Sequence, residues 1–96
     1  MTIVWTPQAE KGLNSVLEYL EEEWTAREIT NLQNNLENLL DRISTYPEIY
    51  PATSSIKNLH KGLVDKNNYL IYRVKLDREH IEIINFRGTR QEPKEL

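Results

Sequence analysis

The chain has 96 residues, no cysteine and a formal net charge of −3. This length indicates a single domain over residues 1–96, and the missing cysteines exclude disulfide and thiolate chemistry. No apolar run approaches the roughly 18 residues of a membrane span. Met1-Thr2-Ile3-Val4-Trp5 lacks the basic region and long apolar core of a signal peptide, so a cytoplasmic location is expected. The charge is uneven. Residues 1–56 hold three Lys/Arg against nine Asp/Glu, and residues 57–96 hold nine against six. The overall acidity argues against general coating of nucleic acid, while a local basic face stays compatible with it.

Thr2 to Trp5 is β-prone and predicts a first strand. Thr6-Pro7 then starts a helix, with Thr6 as cap and Pro7 at the first helical position, where its missing N–H loses nothing. Ala9, Leu13, Val16, Leu17, Leu20 and Trp24 follow at helical spacing. Gly12 weakens that helix by about 1 kcal/mol relative to alanine. Thr25-Ala26-Arg27-Glu28 is a capping box, so a second helix begins almost where the first ends. Its stripe is Ile29, Leu32, Leu36, Leu39, Leu40 and Ile43, and Tyr46-Pro47 stops it. The two stripes make an antiparallel hairpin with one face left to bury.

A proline-punctuated loop over Tyr46 to Ser55 leads to a second expected strand, Ile56 to Leu63. Asp65 to Asn68 is turn material. Two long strands follow, joined by a polar connection from Lys75 to His80. Alternation puts Leu70, Tyr72, Val74 and Leu76 on the core face, and Tyr69, Ile71, Arg73 and Lys75 on the other. In the last strand Ile81 and Ile83 lie on one face, Ile84 and Phe86 on the opposite one, the pattern of a central strand covered on both sides. The order β-α-α-β-β-β is an α+β pattern: a helical hairpin on one face of a mostly antiparallel sheet. Leu13, Leu17, Leu20, Leu36, Leu40, Tyr72 and Val74 are expected to join the two layers.

No metal constellation is visible, and His60 and His80 read as lone surface or strand-edge histidines. No cofactor is expected. The candidates for chemistry are Lys57, Lys61, Arg73, Arg87 and Arg90, with Tyr69 and Tyr72. Lys57 and Lys61 share a face if their segment is extended. Cations grouped in this way hold phosphate or stabilise a charged transition state, and with stacking aromatics they hold single-stranded RNA. The competing reading is a solvated basic strand face, with Arg87 and Arg90 paired to Glu82 or Glu92.

These pieces together resemble the RelE/ParE toxin superfamily of bacterial type II toxin–antitoxin modules, the plasmid stabilisation proteins. The resemblance rests on Trp5-Thr6-Pro7-Gln8-Ala9, Tyr46-Pro47-Glu48, Lys61-Gly62-Leu63, Tyr69-Leu70-Ile71-Tyr72-Arg73-Val74, Ile81-Glu82-Ile83-Ile84 and Arg87-Gly88-Thr89-Arg90. It implies a small growth-inhibiting toxin neutralised by a cognate antitoxin. RelE-like members cut messenger RNA on the ribosome with sheet-face cations and no metal; ParE-like members poison DNA gyrase. The ribonucleases usually carry an arginine just before the middle-strand Leu-Ile-Tyr, where this chain has Tyr69, and a histidine or tyrosine near the C-terminus, for which nothing after Arg90 can stand. These departures favour the ParE-like branch. Tyr69, Arg73, Arg87 and Arg90 are then the expected target-binding residues. An mRNA endoribonuclease and an antitoxin-binding remnant without toxicity are the alternatives.

Overall fold

A computed structural model describes residues 1–52 and 59–88. Strand β1 (Thr2–Trp5) leads into helices α1 (Pro7–Glu23) and α2 (Ala26–Thr45). Strands β2 (Leu59–Asp65), β3 (Asn68–Lys75) and β4 (His80–Gly88) follow. The expected α+β arrangement is present. One sheet runs β1-β4-β3-β2, antiparallel except where β1 lies parallel to β4.

Local signals set the helix ends. The Thr6 hydroxyl accepts from the Ala9 N–H (3.1 Å) and donates to the Ile83 carbonyl (2.8 Å), so the α1 cap also ties the helix to β4. At the start of α2 the Thr25 N–H donates to the Glu28 carboxylate (3.1 Å) and the Thr25 hydroxyl reaches the same carboxylate. That hydroxyl bond, more than any other contact, holds the Glu28 carboxyl below its ordinary value.

Both helices pack on one face of the sheet. The core holds Ala9 and Val16 from α1, Leu32, Leu36, Leu39 and Ile43 from α2, and Leu70, Tyr72, Val74, Ile81, Ile83 and Phe86 from the sheet. Leu13, Leu17, Leu20 and Leu40 pack against it while partly exposed. The expected layer contacts are therefore right, but the deepest helical positions are the neighbours of several of them.

Five expectations change. The second strand runs over Leu59–Asp65, not Ile56 to Leu63, and residues 56–58, Lys57 included, lie outside the described ones. The β2–β3 turn contracts to Lys66-Asn67, where Asp65 Oδ1 accepts from the Asn67 N–H (2.7 Å) and the Asn68 side chain (3.0 Å). Leu76 is not on the core face: it starts a short 3₁₀ turn, Leu76–Arg78, and is 66% exposed. Glu79 closes that turn in the left-handed region, at φ 52°.

The fourth change concerns β4. Ile84 and Phe86 do not share a face. Leu70 faces Phe86 and Ile71 faces Asn85, but Tyr72 faces Ile83, so Ile84 is an extra residue in a bulge. The bulge shifts the alternation by one position and turns Phe86 into the core beside Ile81 and Ile83. β4 is central, as expected, with one apolar face that changes phase midway.

His60 is buried rather than superficial. Its ring stacks on Tyr72, with centroids 5.0 Å apart, and Nδ1 lies 2.7 Å from the Tyr50 carbonyl. Nε2 has no hydrogen-bond partner among the described residues. The Tyr72 hydroxyl donates to the Pro47 carbonyl (2.7 Å), and burial pushes its pKa up to about 12. These two side chains anchor the segment after α2 to the sheet.

Candidate functional site

The sheet face away from the helices carries the basic candidates. Strand alternation and register line them up in rows. One row is Leu63–Tyr69–Arg87, the next Lys61–Ile71–Asn85, and the third Leu59–Arg73–Glu82. Lys75 and His80 form a further pair beyond them. Among described residues this face has Lys61, Arg73, Lys75 and Arg87 against Glu82, four positive charges against one negative, on a chain whose total is −3.

Lys61 and Tyr69 form its ordered centre. The Lys61 ammonium sits 4.2 Å from the centroid of the Tyr69 ring, a cation–π contact on the diagonal between β2 and β3. The contact holds the tyrosine ring against the sheet and keeps the ammonium on the basic face. Arg87 stands opposite Tyr69 and is exposed. No ion pair joins it to Glu82, so that competing expectation does not hold among the described residues; Glu92 lies outside them. Arg73 faces Glu82 across β3 and β4 and is partly buried.

The structure thus brings together Lys61, Tyr69, Arg73 and Arg87. Lys57 and Arg90 lie outside the described residues. Tyr72 points into the core, where its hydroxyl is used by Pro47, so it does not belong to this face. Asn85 joins the rows without having been singled out in the sequence, because the bulge at Ile84 resets the register of everything after it. Among described residues no group of three or more His, Asp or Glu side chains is arranged to hold a metal ion. No helix is long and apolar enough to cross a membrane.

A helical hairpin thus covers one face of the β1-β4-β3-β2 sheet, and the basic candidates lie on the other. The fold is similar to that of the YoeB/ParE toxin from Agrobacterium tumefaciens, with a TM-score of 0.65 at 15% identity over 92% of this chain and 98% of that one. The chain belongs to the family described as the ParE toxin of the type II toxin–antitoxin system parDE, whose model matches residues 3–93. ParE toxins pair with a cognate antitoxin. No curated protein matches the chain.

Proposed function

We infer that this ParE-family protein inhibits growth by binding a cellular target through the outer sheet face, and that its cognate antitoxin blocks it. DNA gyrase is the target we assign, which would place its action in the cytoplasm. The observation that carries this reading is the Lys61–Tyr69 contact beside the exposed Arg87. It presents an aromatic plane and cations, a set suited to recognition.

Chemistry on RNA asks for more. Metal-free cleavage needs a group to activate the 2′-hydroxyl and an acid for the leaving oxygen, besides cations around the phosphate. The row Leu63–Tyr69–Arg87 has a tyrosine where the ribonucleases have an arginine. His80 stands at the opposite end of β4 from Arg87. Tyr69, Arg73, Arg87 and Arg90 therefore act in binding, with Lys61 holding Tyr69.

The test is controlled expression in bacteria with two parallel readouts, plasmid supercoiling with DNA damage, and cleavage of a reporter message. Gyrase-dependent damage without message cleavage is the expected result. Ribosome-dependent cuts that vanish in Lys57→Ala or Lys61→Ala would move the protein to the ribonuclease branch. Antitoxin capture without any toxicity would leave it as a binding remnant.

A further inference from the structure

A second basic surface lies round the edge of the sheet from the first. β1 pairs with His80 to Ile83, so among the described residues the edge of β4 beyond Ile83 has no strand beside it. α1 occupies that place. Gly12 makes the approach possible: a Cβ there would stand 2.2 Å from the Phe86 carbonyl oxygen, well inside contact distance. The carbonyl is thereby tucked under the helix, and the neighbouring side chains of helix and strand are forced together.

Between them lies an open, shallow cleft of about 280 Å³. Gln8, Lys11, Gly12 and Ser15 line it from α1, and Asn85, Phe86, Arg87 and Gly88 from β4. No acidic residue lines it, although the chain carries 15 Asp and Glu. Lys11 is the single lysine in residues 1–56, a region of net −6. A lysine and an arginine with two carboxamides form a donor-rich site for an oxyanion. Arg87 belongs both to this cleft and to the outer-face row with Tyr69.

We propose that this cleft binds a phosphate group, held by Lys11 and Arg87 with Gln8 and Asn85 as further donors. The inference rests on the target-binding reading of the outer face and extends that site over the edge of β4 onto α1. Arg87 is the hinge between the two surfaces. A phosphate in the cleft would sit at one end of a track that continues past Tyr69 to Lys61. The source of the phosphate is a nucleic-acid backbone or a free nucleotide, which share this chemistry.

The test uses the full chain and amide chemical shifts from nuclear magnetic resonance. Inorganic phosphate, adenosine monophosphate and a short single-stranded DNA oligonucleotide are titrated separately, against sodium chloride at matched ionic strength. Saturable shifts at Gly12, Asn85 and Gly88 are expected, and Lys11→Gln should weaken them about tenfold, the effect of losing roughly 1.4 kcal/mol. Thermal melting should show Lys11→Gln still folded, since Lys11 is exposed. With the oligonucleotide, Lys11→Gln should also flatten the salt dependence by about 0.7 per lost phosphate contact. Tighter binding of the oligonucleotide than of the nucleotide identifies a nucleic-acid backbone as the source; the reverse order identifies a free nucleotide. Absence of saturable shifts with all three probes, shifts matched by chloride, or identical binding by Lys11→Gln would overturn the proposal. Those outcomes leave the target-binding reading standing, because it is judged separately by the toxicity of Tyr69→Ala, a residue of the outer face that does not line the cleft.

Discussion

At the residue scale, Gly12 and Tyr72 show how one position serves packing against its own local preference. Gly12 lowers the intrinsic stability of α1, and replacing it by alanine gains about 1 kcal/mol in helix propensity. The added methyl meets the Phe86 backbone oxygen, which cannot swing aside as a side chain would. Overpacking costs up to about 3 kcal/mol, so Gly12→Ala should lose about 2 kcal/mol net, the difference between these two terms. Urea unfolding measures it, and a more stable variant would refute the close approach. Tyr72 is fully buried, with its hydroxyl on the Pro47 carbonyl. Tyr72→Phe should destabilise by about 1–2 kcal/mol, leaving that carbonyl without its donor. Burial favours the neutral phenol and raises its pKa from 10.0 to about 12. Its stabilising contribution is whole below pH 10.0 and fades as the pH rises through about 12. Alkaline denaturation of the wild type should show this slope, and Tyr72→Phe should lack it.

At the element scale, the helices were legible in the sequence almost to their ends and the strands were not. Helix ends are written in side chains: Thr6-Pro7, the Thr25 to Glu28 box and Tyr46-Pro47 act within a few residues of themselves. Strand faces depend on partners far along the chain. The bulge at Ile84 is visible only once Tyr72 and Ile83 are known to be opposite, so Phe86 looked outward when it is inward. Leu76 continues the alternation of β3 on paper but falls where the chain turns. His60 had no sequence neighbour to announce the aromatic stack that buries it. The outer-face residues Tyr69 and Arg73 were legible, because β3 alternates without interruption. For α2, Leu36 packs into the core between the layers. Leu36→Ala should destabilise by about 2–5 kcal/mol through the cavity it leaves, whereas a loss in urea melts below about 0.5 kcal/mol, the scale of surface changes, would place it outside the core.

At the scale of the whole molecule, the two faces of the sheet differ: one is covered by the helical hairpin, and among the described residues no helix covers the other. Arg87→Ala should reduce toxicity while leaving the melting temperature within about 2 °C of the wild type, because an exposed side chain contributes little to stability. Equal toxicity of the variant would remove the outer face from the mechanism. The antitoxin should protect either the helices or residues 59–88 from hydrogen exchange, and unchanged exchange over both would contradict a contact there. The parallel pairing of β1 with β4 has a consequence in time. Thr2 faces His80 across this pair, so β1 waits for its β4 partner until β4 is made. At about 5–20 residues per second that interval is roughly 4–16 s, long compared with the formation of either helix. The hairpin of α1 and α2 can therefore assemble early, before the central strand that carries Arg87. The basic face is incomplete until β4 is made, and in that interval an antitoxin, the partner of ParE toxins, can meet the protein as β4 settles.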